Sequence, residues 1–220
     1  MSKLITNNRP GQGVSKVPSA AQMRRFQQQV TDPQEIAALL HKAEICRIAL
    51  NAEKYADLAA SADPAAPAPD PAAAPADPAA HGAPAAAPAP AAPYIVALNF
   101  GYDFDPQADG SLRLWFHSAL EGRKLDLMRL NPAAGFQLDA DTALCGLDGQ
   151  TACDCGEDYA SIVGAGILRL STDPDERLYG LTRLMEHYNS SSLPFRPQTL
   201  ERTAVLCLDV AWFTAKRKLH

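Results

Sequence analysis

Apolar and polar residues alternate from Leu112 to His117. Leu112, Leu114 and Phe116 fall on one side and Arg113, Trp115 and His117 on the other, which predicts a strand. His117 and Ser118 close it, and Ala119-Leu120-Glu121-Gly122 reads as a short loop. A helical pattern follows, with Leu125, Leu127, Met128 and Leu130 apolar, and it stops before Asn131-Pro132, where proline disfavours continuation.

The same reading yields the other elements. Asp32 is the expected N-cap of a helix, with Pro33 at its first position and Glu35 as the reciprocal capping residue. Ile36, Leu39, Leu40 and Ala43 form its buried face. Residues 44–51 alternate as a strand with Cys46, Ile48 and Leu50 on one side, and residues 94–104 form a second strand. After a turn at 105–110 the strand from Leu112 completes an antiparallel meander. Residues 134–138 read as a short strand, 139–158 as a loop and 159–170 as a long strand. In the long strand Gly164 and Gly166 suggest a bulge, a bend or the close approach of a ligand. Thr172-Asp173-Pro174-Asp175-Glu176 repeats the earlier cap chemistry before a helix expected to bury Leu178, Leu181, Leu184 and Met185. Residues 203–213 form the last strand. Six strands with mostly short links and flanking helices favour a mainly β, antiparallel closed or partly closed barrel over an open α+β sheet.

Composition changes this picture at one place. Residues 56–93 are almost entirely Ala and Pro and hold ten of the eighteen prolines. Proline at this frequency blocks helix, and no packed core can come from such a segment. It is expected to be a low-complexity insert at a hairpin tip, interrupting one domain over residues 19–220. Residues 1–18, polar and rich in Gly, Asn and Ser, are expected to be a flexible tail.

Charge and cysteine content exclude several classes. The net charge of −5, with Lys216-Arg217-Lys218 as the one basic block near the end, argues against nucleic acid as the main partner. No apolar run is long enough to span a membrane, and the start lacks a secretory h-region, so a cytoplasmic location is expected. Five cysteines favour reduced thiols. Cys145, Cys153 and Cys155 lack zinc-finger spacing, and no metal is expected. Cys46 and Cys207 read as small core residues.

The candidate chemistry lies in the first turn of the helix after Gly122. Arg123-Lys124 sits where the helix dipole opposes cations by about 0.3–1 kcal/mol each, and where backbone N–H groups want an acceptor. With His117-Ser118 just before, these residues suit a dianion such as a phosphate monoester. The alternative is two ordinary solvated charges, with Glu121 offsetting the dipole. His117 is also a candidate general acid.

The segments KAEICRIAL, PYIVALNFGYD, LRLWFHSALEGRKLDLMRLNP, CDCGEDYASIVGAG and ERTAVLCLDV together resemble the pyridoxamine 5′-phosphate oxidase superfamily of flavin-binding split barrels, closest to its nitroimidazole-resistance branch. The resemblance runs from about Met23 to Lys218 without the Ala/Pro insert, and FHSALEGRKLD followed by NP is its most specific part. It implies a homodimer holding FMN at its interface, with FAD or haem as alternatives. It implies that His117, Ser118, Ala119, Arg123 and Lys124 hold the phosphate and ribityl end, while Ala97, Leu98, Asn99 and Phe100 line the ring. It further implies an oxidoreductase that takes electrons from a nicotinamide or other donor and reduces a small acceptor such as a nitroaromatic. A non-catalytic flavin- or haem-binding module is the alternative. The family usually has proline at the position of Ala97 and often arginine at that of Ala160. No second basic set is present for a pyridoxamine phosphate substrate, which argues against the vitamin oxidase activity.

Overall fold

A computed structural model of the chain describes residues 26–52, 92–149, 151–189 and 194–219. The expected tail and nearly all of the Ala/Pro insert lie outside these residues. The described elements are β1 (Gln29–Val30), α1 (Pro33–Lys42), β2 (Cys46–Leu50), β3 (Tyr94–Leu98), β4 (Gly101–Phe104), β5 (Leu112–Ser118), α2 (Arg123–Leu130), β6 (Ala133–Cys145), β7 (Gly156–Ser171), α3 (Pro174–His187), α4 (Pro197–Glu201) and β8 (Ala204–Lys218).

All eight strands join one antiparallel sheet in the order β3-β2-β6-β7-β8-β5-β4, with β1 paired to the far half of β8. The six expected strands become eight because β1 is added and because the 94–104 strand divides. Its first part pairs with β2, its second part with β5. The two terminal strands of the sheet, β3 and β4, are thus consecutive in the chain and linked by Asn99-Phe100. The hydrogen-bonded sheet is not closed, and the chain itself bridges its two edges: this is a split barrel. Leu50 pairs with Tyr94, so the insert connects neighbouring antiparallel strands.

The inward alternation of β2, β5, β6, β7 and β8 builds the core around Ile48, Leu114, Phe116, Phe136, Leu138, Ile162, Leu206, Leu208 and Phe213. Ile36, Leu39, Leu40 and Ala43 of α1 join it, as their helical spacing requires, and so do Leu125, Leu127 and Met128 of α2. Burying such side chains contributes about 1.5–3 kcal/mol each. Cys46 and Cys207 are fully buried thiols, their pKa values pushed up by loss of hydration.

Four expectations are corrected. The 134–138 strand continues to Cys145 and β7 begins at Gly156, because a bulge between Ala140 and Ala143, with Asp141 at φ 53°, carries the pairing past the point where alternation fails. Glu35 does not complete a capping box: the Asp32 carboxylate accepts from the N–H of Gln34, and Glu35 turns to Arg217 at 3.6 Å. At the second cap Asp173 accepts from the N–H of Glu176, whose own carboxylate receives Arg169 and Ser171. Leu178 is 46 % exposed, because α3 turns Gly180, Leu181 and Leu184 toward the sheet. A bulge does fall between Ala165 and Gly166, and what approaches Gly166 is the β8 backbone at Asp209.

Candidate functional site

The candidate residues named from the sequence come from two stretches, and the fold sets them on the two sides of one seam. β4 and β5 pair from Phe104–Leu112 to Gly101–Trp115. The same register, carried on, would set Asn99 against His117, Leu98 against Ser118 and Ala97 against Ala119. The ladder stops short of these pairs. The N–H of Phe100 bonds the hydroxyl of Tyr188, 3.2 Å distant, on the edge away from β5, and β3 beyond it pairs with β2. On the opposite side of the seam His117 and Ser118 pair with Val205 and Ala204 of β8. Between β3 and the end of β5 there is no strand pairing.

Ala97, Asn99, His117 and Ala119 are exposed on the outer face of the seam, as strand alternation requires. Leu98 and Ser118 are half-buried. Phe100 differs from its expected part in lining a ring. Its side chain is fully buried, 4.5 Å from the His187 ring and 6.2 Å from that of Tyr102 between centroids, and its N–H is already bonded.

α2 starts at one end of the seam. Its N-cap is Gly122, at φ 124°, a conformation that L side chains rarely adopt, and no side chain caps the first turn. A Cβ at Gly122 would meet nothing within 4 Å, so the approach to the helix start is open. The carbonyl of Gly122 accepts from Leu125 and Asp126. Arg123 lies over the Tyr94 ring, its guanidinium carbon 5.0 Å from the centroid, which joins the helix start to the start of β3. Lys124 is half-buried, and burial lowers its pKa. The pKa of His117 is lowered by loss of hydration and further by the charge of Lys124. Lys124 has no carboxylate within ion-pair distance among the described residues, whereas Arg129 on the same helix is paired with Asp126 at 3.0 Å. A cation removed from water without a counter-charge and beside a second titratable base suits a bound anion. The donor set therefore fits a phosphate monoester.

Two neighbours of the seam escaped the sequence reading. Tyr94 was visible only as a strand aromatic, and its role under Arg123 depends on the β2–β3 register. Arg47 lies directly opposite Ala97 on the outer face and pairs with Asp139 at 2.6 Å. Trp115 is buried beneath α3 and donates its ring N–H to Asp103 at 2.7 Å. Among the described residues no group of three or more His, Cys, Asp or Glu converges as a metal site. No helix among them is long and apolar enough to cross a membrane.

Solved structures of similar fold are known. A candidate 5-nitroimidazole antibiotic resistance protein from Bacteroides thetaiotaomicron aligns with a TM-score of 0.59 at 17% identity, covering 86% of each chain. A FAD and haem binding protein from Mycobacterium smegmatis aligns at 0.58 and 14%, covering 88% of this chain and 74% of that one. The flavocytochrome Anf3 from Azotobacter vinelandii aligns at 0.57 and 13%, covering 90% and 72%. No curated protein matches the chain. The sequence profile of the pyridoxamine 5′-phosphate oxidase family matches residues 85–217, more than half of the chain and all of the seam. The chain belongs to that family.

Proposed function

We propose that the protein is a cytoplasmic, homodimeric FMN-binding flavoprotein, and an oxidoreductase acting on a small acceptor such as a nitroaromatic compound. The observation that carries this reading is the seam. The stretches Ala97–Phe100 and His117–Lys124 border it, and at its end an uncapped helix start presents a half-buried Lys124 without a carboxylate partner among the described residues.

Arg123, Lys124 and the first turn of α2 would hold the phosphate, with His117 and Ser118 beside them. Ala97, Leu98 and Asn99 would lie along the ring, and Phe100 would support that stretch from the core. The chemistry supplied by bound FMN is electron transfer from a nicotinamide or other donor to the acceptor. His117, with its lowered pKa, is a neutral hydrogen-bonding partner at neutral pH and gains a proton more readily beside an anion. The family's name does not carry the vitamin oxidase activity here, since one cationic set faces the seam among the described residues, where a pyridoxamine phosphate substrate would need a second.

A second copy of the chain would cover the outer face. Ile95, Ala49, Gly135, Ala165 and Trp212 form one row across five strands, continuous with Ala97, and Ile95 and Trp212 are 62 % and 45 % exposed. Sedimentation should give a dimer at micromolar concentration, and a monomer that retains FMN would remove this part of the reading.

The absorption spectrum of the purified protein, followed by titration with FMN and riboflavin, tests the rest. Flavin bands and tighter binding of FMN than of riboflavin are expected. A Soret band would favour the second reading, a haem- or flavin-holding module without turnover, which draws on the likeness to the flavocytochrome and to the FAD and haem binding protein. Uptake of no cofactor would refute both.

A further inference from the structure

We propose that Tyr188 is a positioning residue for the flavin ring; the inference rests on the FMN reading above. The hydroxyl of Tyr188, at the C-terminal cap of α3, is the hinge pin of the split. It accepts from the N–H of Phe100 at 3.2 Å and donates to the carbonyl of Glu44, the residue after the α1 cap. The preceding His187 bonds the carbonyl of Ala43 at 2.8 Å through Nε2, and its ring packs on Phe100. One helix end therefore grips both the α1 C-terminus and the bend where β3 leaves β4.

The consequence lies one residue away. The Phe100 N–H lies on the same strand edge as the Tyr102 carbonyl, the edge turned to α3 and away from β5. Tyr188 therefore anchors the bend from behind, just where the pairing with β5 ends at Gly101–Trp115, and holds in place the neighbouring Asn99 and Leu98, along which the ring would rest. Tyr188 touches neither phosphate nor ring on this arrangement; it acts through the Phe100 backbone.

The test compares Tyr188→Phe with Tyr179→Phe. Tyr179 also ties α3 to β4, donating to Asp103 at 2.7 Å, but lies well away from the bend. FMN and riboflavin affinities, the visible circular dichroism of the bound flavin, the unfolding midpoint of the apo protein and the amide exchange of Phe100 are measured. Tyr188→Phe should weaken FMN and riboflavin by the same factor, about tenfold, alter the flavin dichroism and speed Phe100 exchange. Tyr179→Phe should lower the midpoint and leave flavin binding alone. Flavin binding unchanged in Tyr188→Phe, or weakened no more than in Tyr179→Phe, overturns the proposal while the FMN reading stands. Fast Phe100 exchange in the wild type overturns it without any variant. A wild type that binds neither flavin overturns the FMN reading and this proposal together.

Discussion

The two terminal strands of the sheet are consecutive pieces of one chain, yet they are finished in opposite ways. Along β4 every residue from the bend to Asp103 is held by α3. Phe100 gives its N–H to Tyr188. Gly101 lies so close to the helix that a Cβ there would fall on the backbone of Leu184 and Arg183. The carbonyl of Tyr102 accepts from the Arg183 guanidinium at 3.0 and 3.1 Å, and Asp103 receives Trp115, Tyr179 and Arg183. On its seam side β3 meets α2 through the Arg123–Tyr94 contact, and no helix covers it there as α3 covers β4 among the described residues. Uncovered strand edges invite pairing, and proteins blunt them or fill them. The β4 edge is filled from within, and on the reading proposed above the β3 edge is filled by a ligand. Changes along β4 should therefore cost stability, and changes at the seam should cost affinity.

The largest effect is expected at Gly101. Gly101→Ala sets a methyl group against the α3 backbone, which cannot give as a flexible side chain would, and should destabilise by about 3 kcal/mol, the upper range for overpacking. Urea unfolding of the apo protein measures it. A loss below about 1 kcal/mol would mean that α3 is not seated on β4 as closely as the geometry implies.

Asp103→Ala is the next. It leaves the ring N–H of the buried Trp115 without its acceptor, at a cost of about 1–3 kcal/mol. A second readout is local. The Tyr179 phenol is pushed up to about 12 by burial and by the hydrogen bond and charge of Asp103. In the variant its ultraviolet titration should move down toward ordinary tyrosine. An unmoved titration would show that Asp103 and Tyr179 are not coupled.

What the sequence showed and what it hid divide along the same line. Period and caps located α1, α2 and α3 and the core faces of the strands, because Asp32-Pro33, Asp173-Pro174 and the alternation in 112–117 are local signals. The proposed anion site starts from a local signal as well, since Arg123-Lys124 opposes the dipole of its own helix. The division of the 94–104 strand was not legible. YIVALNFGYDF is rich in β-branched and aromatic residues and carries no proline, and the helix end that holds its bend, at Tyr188, is 88 residues on from Phe100. For the same reason Phe100 read as a ring contact, whereas its side chain belongs to the core. Leu178 failed because three apolar positions per helix face leave the exact rotation of α3 to its neighbours, and the close contact at Gly101 decides it.

At the seam the expected effects are on binding. Arg123→Gln and Lys124→Gln should each weaken FMN by about tenfold, near 1.5 kcal/mol for a charge-assisted contact, with riboflavin nearly unaffected. In Lys124→Gln the apo unfolding midpoint should hardly change, since Lys124 has no carboxylate to lose among the described residues and its burial is unfavourable to its charge. Equal losses for both flavins would move these residues from the phosphate end to general support of the site.

The smallest effect separates two histidines, one at each kind of edge. His187, held against α1 and Phe100, has its pKa lowered from 6.5 by burial, despite the Ala43 carbonyl that raises it, with His41 lowering it further. His117, at the seam, is lowered from 6.5 by loss of hydration and by Lys124. In both cases the unfolded chain binds more protons than the folded one once the pH falls below 6.5, so stability declines there and stops declining below the folded pKa. His187→Gln should flatten part of that decline whether FMN is present or not. His117 should behave differently on adding FMN. A phosphate placed beside it favours the imidazolium and raises its pKa, so binding takes up a proton and strengthens as pH falls through the window between the apo and bound values. The gain is bounded by about tenfold per pH unit for one proton, and protonation of the phosphate near pH 6 works against it. The difference in pH profile between wild type and His117→Gln, with riboflavin as the uncharged control, isolates the histidine. Identical profiles would show that His117 does not face the phosphate, and would leave Lys124 and Arg123 to hold it without the strand end.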